Sequence, residues 1–330
     1  MRSRLLLIAV IAASGLLSSL TGSMNSYYVQ ILTFIGINII LGVSLNLING
    51  HTGQFSLGHA GFMAVGAYTA AFLTTSYGPS ILAAMGGLSW WSEAILFCGA
   101  LIAGGIGAAI AGLIVGVPSL RLRGDYLAII TLGFGEIIRV LIQNTDAVGG
   151  PRGLTDIPGY TNLFWTFAIA AITIYTISSL VDSTYGRGFL TVRDDEIAAS
   201  AMGINTTRYK VVAFVIGAFF AGVAGGLYAH STRYLTPEGF TFQKTVEIVI
   251  IVILGGMGNN AGVTFAAVLL TVLLESLRSV SDITWLPIFV RDLTKNRMIL
   301  FSLVLIALML LRPQGLFGGF RKPKRTRDLI

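Results

Sequence analysis

Charge is what this chain has least of. Of its 330 residues only 11% are Asp, Glu, Lys or Arg, while 54% are hydrophobic and the mean hydropathy is +0.80. A soluble domain carries about 25% charged residues, because its surface faces water. Most of the exterior of this chain therefore faces something else. Cysteine is nearly absent too: Cys98 alone, inside an apolar run, excludes a disulfide framework and a cysteine metal site. His51 and His59 lie eight residues apart with no H-E-x-x-H pattern and no nearby carboxylate, so no metal-ligating set is expected. No G-x-x-x-x-G-K-S/T loop occurs, and Gly255-Gly256-Met257-Gly258-Asn259-Asn260 lacks the lysine that grips phosphate. A Ser/His/Asp constellation is missing as well. The chain is not read as an enzyme, and any ATP that powers it is hydrolysed by another subunit.

What is present is apolar length. Runs such as Ile95–Val117, Val211–Leu227 and Ile299–Leu311 have almost no ionisable groups. About 20 helical residues at roughly 1.5 Å each cross a hydrocarbon core. Spans are expected at about 5–20, 28–48, 60–77, 94–117, 126–143, 163–181, 210–230, 245–256, 262–278 and 298–312. The fold class is all-α, a polytopic bundle of about ten transmembrane helices; a barrel would show short alternating segments instead. The first run follows Arg2 and Arg4 and lacks an A-x-A-like cleavage site, so it reads as a retained span.

An even number of spans puts both termini on one side. That side then holds 14 basic residues, including Arg121, Arg123, Arg187, Arg193, Arg208, Lys210 and the cluster after Arg312. The opposite side holds 7, and Arg139 falls within a span. The bias places both ends in the cytoplasm. The net charge of +7 is accordingly a topology signal, not a nucleic-acid footprint.

Forty glycines, in series such as Gly104-Gly105…Gly112 and Gly217…Gly222…Gly225-Gly226, allow helix backbones to approach closely. Ionisable groups within spans are costly, and Glu136 and Arg139, three residues apart, share one helix face where they can form an intramembrane ion pair. Between two spans, Asn49 to Gly61 is glycine-rich and uncharged. Such backbone fits either a re-entrant segment lining a pathway or a short cytoplasmic loop. Gly53, Gln54 and Ser56 here, with Gly255, Gly256 and Gly258 in the second glycine-rich break, are the translocation-pathway candidates.

The most informative loop is 182–210. Asp194, Asp195 and Glu196 suit a helix N-terminus, the alanines sustain a helix, and Gly203 ends it. Ala198, Ala199 and Met202 fall at helical spacing, making a small apolar ridge that asks for a groove on a partner.

These residues carry a resemblance. The loop reads like the E-A-A-type coupling helix of ABC-importer permeases, with Glu196, Ala198, Ala199 and Gly203 matching its acid, alanines and glycine, although Ile197 separates the acid from the alanine pair. Gly53 to Phe62, Arg121 to Ala128, Gly149 to Leu154 and Leu254 to Gly258 resemble the M-type permease of branched-chain amino acid (Liv-type) importers, over roughly residues 30–317. The resemblance implies a single permease domain over 1–330 in the bacterial inner membrane, with a cytoplasmic coupling loop at 182–210 and a basic cytoplasmic tail at 313–330. Arg193, Asp194, Asp195, Glu196, Ala198, Ala199, Met202 and Gly203 would then contact the ATPase. Implied partners are a homologous H-type permease, two ABC ATPases and a periplasmic binding protein. The chain itself would hold no cofactor, ATP and Mg belonging to the ATPases. Leucine, isoleucine and valine or related neutral amino acids are the implied cargo, with urea or short amides as the alternative within the family. An ion-coupled secondary transporter is a further rival, and it would have to rely on Glu136 and Arg139.

Overall fold

The computed structural model describes residues 25–87, 89–119 and 125–281, with a few isolated positions outside them. The expected spans 5–20 and 298–312 and the tail 313–330 fall largely outside the described residues. The described residues are mainly helical, and no strand occurs among them.

Helix α1 (Ser26–Asn46) starts where the Asn25 side chain accepts the Tyr27 amide, and it runs on through a π-turn, Leu47–His51. Helix α2 (His59–Phe72) likewise continues through a π-turn, Leu73–Tyr77, into α3 (Gly78–Ala84). Long apolar helices follow: α4 (Trp90–Ser119), α5 (Asp125–Gln143) and α6 (Leu163–Asp182). Two short ones, α7 (Thr184–Asp194) and α8 (Glu196–Ala201), precede α9 (Thr206–Thr232). Helix α10 (Phe242–Gly255) and α11 (Asn260–Ser281) close the described part.

All eight expected spans between 28 and 278 fall on these helices, but they are not equivalent. Among the described residues five helical stretches, at 26–51, 90–118, 126–143, 163–182 and 206–232, are long and apolar enough to cross a membrane. Helix α10 has 14 residues, about 21 Å at 1.5 Å per residue, which is short of a hydrocarbon core of about 30 Å. Glycine sets that length: Gly256, at φ +92°, ends α10, and the chain turns back into α11 four residues later.

Glycine also sets the core. Helices α2, α4 and α9 pack at backbone contact: a Cβ on Gly66 would overlap the Gly222 backbone, and one on Gly104 would lie 2.7 Å from the Gly66 carbonyl oxygen. Around this seam Phe62, Met63, Phe97, Phe214 and Leu227 are fully buried. Outward, Ile102, Ile106, Ile110, Leu113, Ile114 and Val117 of α4 form an exposed apolar face, as expected of a helix whose solvent is lipid.

The connectors gather at two ends. One end holds the Gly50–Gly58 segment, α7, α8 and the Gly256–Asn259 break. The other holds the loops around 144–162 and 233–241, where Leu154 and Leu235 exchange backbone hydrogen bonds of 2.9 and 3.0 Å. On α9 the two ends are marked by Lys210 and His230, twenty residues and so about 30 Å apart. By fold, this is a multi-pass helical membrane protein.

Candidate coupling site

Helix α7 begins at Ser183, whose hydroxyl accepts the Gly186 amide at 3.1 Å, and ends at Asp194. Asp195 is extended (φ −157°, ψ 109°), and its carboxylate accepts the Ile197 and Ala198 amides at 2.8 and 3.0 Å. The expected single helix over 194–203 is thus a six-residue helix with an aspartate cap, stopped by Met202 and a left-handed Gly203 (φ +82°).

The side chains sort themselves differently from the expected ridge. Ala199 is fully buried against its own chain, so it is unavailable to a partner. Met202 and Ile197 stand 82% and 70% exposed, flanking exposed Ala198. Ile197 is the residue that helical spacing missed. It interrupts the expected pattern, yet on so short a helix it shares the free edge. Glu196 turns inward and pairs with the Lys210 ammonium at 2.7 Å, where the lysine side chain is only 8% exposed. That pair ties α8 to the start of α9.

Arg193 also turns inward. Its Nε and Nη2 donate to the Asp194 carboxylate at 3.0 and 2.7 Å, and Nη1 reaches the Gly50 carbonyl at 3.4 Å. The arginine lies across Gly53, where an added Cβ would be 2.9 Å from Arg193 Cγ and 3.3 Å from its Cα. It also borders Gly258, where an added Cβ would sit 3.3 Å from Nη1.

The two glycine-rich breaks therefore meet at the same end as α7 and α8. Asn46 bridges them, its Oδ1 accepting the Gly258 amide at 2.8 Å and its Nδ2 donating to Asn260 Oδ1 at 2.8 Å. Asn260 donates in turn to Ser178 of α6 at 3.0 Å. Gln54 and Ser56 are buried: Gln54 Nε2 donates to Thr52 at 2.8 Å and toward the Lys210 carbonyl at 3.4 Å, and the Ser56 amide donates to Asn49 at 3.2 Å. Gly255, also buried, packs on the α11 backbone at Val263, while Gly256 donates its amide to Ile253. Side-chain amides thus join the two glycine-rich breaks, and Arg193 is the coupling residue that reaches them.

Glu136 and Arg139 lie elsewhere, on α5. They are paired at 2.7 Å, with side-chain exposures of 39% and 24%. Within a span each charge is costly without the other. In a double-mutant cycle on melting temperature, the double replacement by Gln and Met is expected to cost less than the sum of the singles. Strict additivity would show that the two do not interact.

At the far end, a half-open pocket of about 200 Å³ is lined by Trp90, Glu93, Phe97, Tyr160, Asn162 and Trp165 among others. Burial and the nearby Glu93 carboxylate push the Tyr160 phenol up. Among the described residues no group of three or more His, Cys, Asp or Glu is placed to hold a metal ion.

The described residues thus form a helical membrane bundle with a capped short helix at one end and glycine-broken helices behind it. The chain belongs to the branched-chain amino acid transport system / permease component family, whose pattern it matches over residues 27–311. It is 36% identical to the high-affinity branched-chain amino acid permease protein LivM of Escherichia coli, over 91% of this chain and 72% of that one. The guanosine ABC transporter permease protein NupQ of Bacillus subtilis is 26% identical, over 83% and 86% of the two chains. The E. coli branched-chain permease protein LivH is 29% identical over 46% of this chain and 44% of its own.

Proposed function

We propose that this chain is one of two permeases of an ATP-driven importer for branched-chain amino acids, and that α8 is its seat on an ATPase. The observation that carries the reading is the free edge Ile197–Ala198–Met202, on a helix started by the Asp195 cap and anchored to the bundle by the Glu196–Lys210 pair. A methionine and an isoleucine so exposed at a polar end, outside lipid, are accounted for by a partner groove.

In this reading loop 182–210 is cytoplasmic, both termini share that side and the membrane is the bacterial inner one, as the basic-residue bias supports. The homologous permease is of LivH type, ATP and Mg act on two ATPase subunits, and a periplasmic receptor delivers cargo. The chain performs no covalent chemistry: it supplies the bundle that alternates between outward- and inward-facing states. Leucine, isoleucine and valine are favoured as cargo by the identity to LivM. The relative named for guanosine shows that cargo varies among similar chains. Selection therefore rests with the receptor.

Met202→Glu is the sharp test, because it puts a charge on an edge that only a partner covers. Membrane expression is expected to persist, while ATPase co-purification and leucine uptake fall at least tenfold. Unchanged ATPase association would refute α8 as the seat.

A further inference from the structure

The seat on the ATPase and the ends of the glycine-broken helices touch through one side chain. We infer that Arg193 is a positioning residue that transmits movement of α7 and α8 into the ends of α1 and α10–α11, latching that end of the bundle shut. This deepens the importer reading above and rests on it.

Three observations converge. First, Arg193 is the penultimate residue of α7, two residues before the Asp195 cap from which α8 springs, so a movement of α7 and α8 together carries it along. Second, its side chain is wedged among three backbones: Gly50 in the π-turn that ends α1, Gly53 in the following loop, and Gly258 in the break between α10 and α11. At Gly53 any side chain would be both strained (φ +69°) and pressed against the Arg193 backbone. The guanidinium is held to its task by Asp194, which fixes two of its nitrogens and leaves Nη1 for the Gly50 carbonyl. A cation at the carboxyl end of a helix is also well placed against the exposed carbonyls.

Third, the segment it presses on departs from the regular α-helix. Leu47–His51 is a π-turn, a locally underwound stretch of the kind frequent at functional sites. Beyond it, Gln54 Oε1 and Ser56 Oγ are buried with no hydrogen-bond partner, while Gln54 Nε2 and the Ser56 amide tie the segment to Thr52, Lys210 and Asn49. Asn46, which bonds Gly258 in the break and Asn260 at the start of α11, couples α1 to α11. Pulling Arg193 outward with α7 would thus release both glycine-rich segments together.

The test uses the whole importer in proteoliposomes, with Arg193→Lys and, separately, Gly53→Ala. Lysine keeps the charge but loses the fork that holds Asp194 and Gly50 at once. Expected for both variants is normal complex assembly and at least a tenfold loss of leucine moved per ATP hydrolysed. A Met257→Cys reporter in the break, 58% exposed, is expected to lose the nucleotide dependence of its labelling by a membrane-impermeant maleimide. A parental transport-to-ATP ratio in both variants would overturn the latch. So would loss of assembly in both, which would make Arg193 a structural brace. An unsubstituted chain that captures no ATPase would instead refute the importer reading, which the same pull-down records separately.

Discussion

Gly225→Leu is expected to abolish the folded protein, while Gly99→Ala, a glycine change on the adjoining helix, leaves it intact. At Gly225 of α9 an added Cβ would overlap the Met63 carbonyl oxygen and lie 2.9 Å from the Ala67 amide nitrogen. Both neighbours are backbone, so no rotamer change makes room. Helices α2 and α9 would have to separate, and with them the Gly66–Gly222 and Gly104–Gly66 contacts that draw in α4. Overpacking a core costs about 1–3 kcal/mol and occasionally more; here the clash is with main chain over several turns, at the upper end or beyond. Among transmembrane helices the loss is severe because their association depends on close packing rather than on hydrophobic burial. Gly99 has nothing within 4 Å of its missing Cβ, and alanine is the better helix former by roughly 0.5–1 kcal/mol. Fluorescence-monitored gel filtration of detergent extracts checks the contrast. A sharp, normal-height peak for Gly225→Leu would show that the seam is not as close as described.

Glu196→Gln is expected to lower stability by about 2–3 kcal/mol and to collapse transport. Lys210 has almost no access to water, and it lies in the first turns of α9, where the helix dipole disfavours a cation. Its ammonium therefore depends on Glu196. Breaking a buried pair costs about 3–5 kcal/mol, and the quarter exposure of the carboxylate reduces that figure. Function suffers more than stability, because the same bond holds α8 against the bundle, and a freed α8 would no longer pass its movement to Arg193. The pair replacement Glu196→Gln/Lys210→Met removes the orphaned charge and is expected to restore the melting temperature but not uptake. Thermal melting of the purified complex and leucine uptake in vesicles read the two effects. If Glu196→Gln melts like the parent, the pair holds nothing in place.

The importance of Glu196 was legible as an acid at a helix start, but its partner was not. Nothing in the spacing of Glu196 and Lys210 distinguishes an anchoring pair from two charges on a wet loop. Ala199 shows the same limit in reverse. Its place in a helical ridge was readable, yet the ridge has two sides, and the one holding Ala199 is turned into the protein. Gln54 and Ser56 were singled out as polar residues beside a span, and the structure sets them, buried, beside the start of α9 and the end of α1, at the same end as Arg193.

Composition and apolar run length were enough to place the chain in a membrane and to locate eight helices between residues 28 and 278. Those quantities follow from the transfer free energy of each residue and the rise of a helix, which depend only on local sequence. The motif blocks were enough to show the family resemblance. The tertiary structure alone decided that the two glycine-rich breaks meet, that Arg193 points between them, and that Ile197 and Met202 are the free edge. Each of these depends on which helix neighbours lie across the bundle, as with Gly50 and Arg193, 143 residues apart. Close contacts between glycine backbones fix those neighbours, and a glycine in the sequence does not say which backbone it admits.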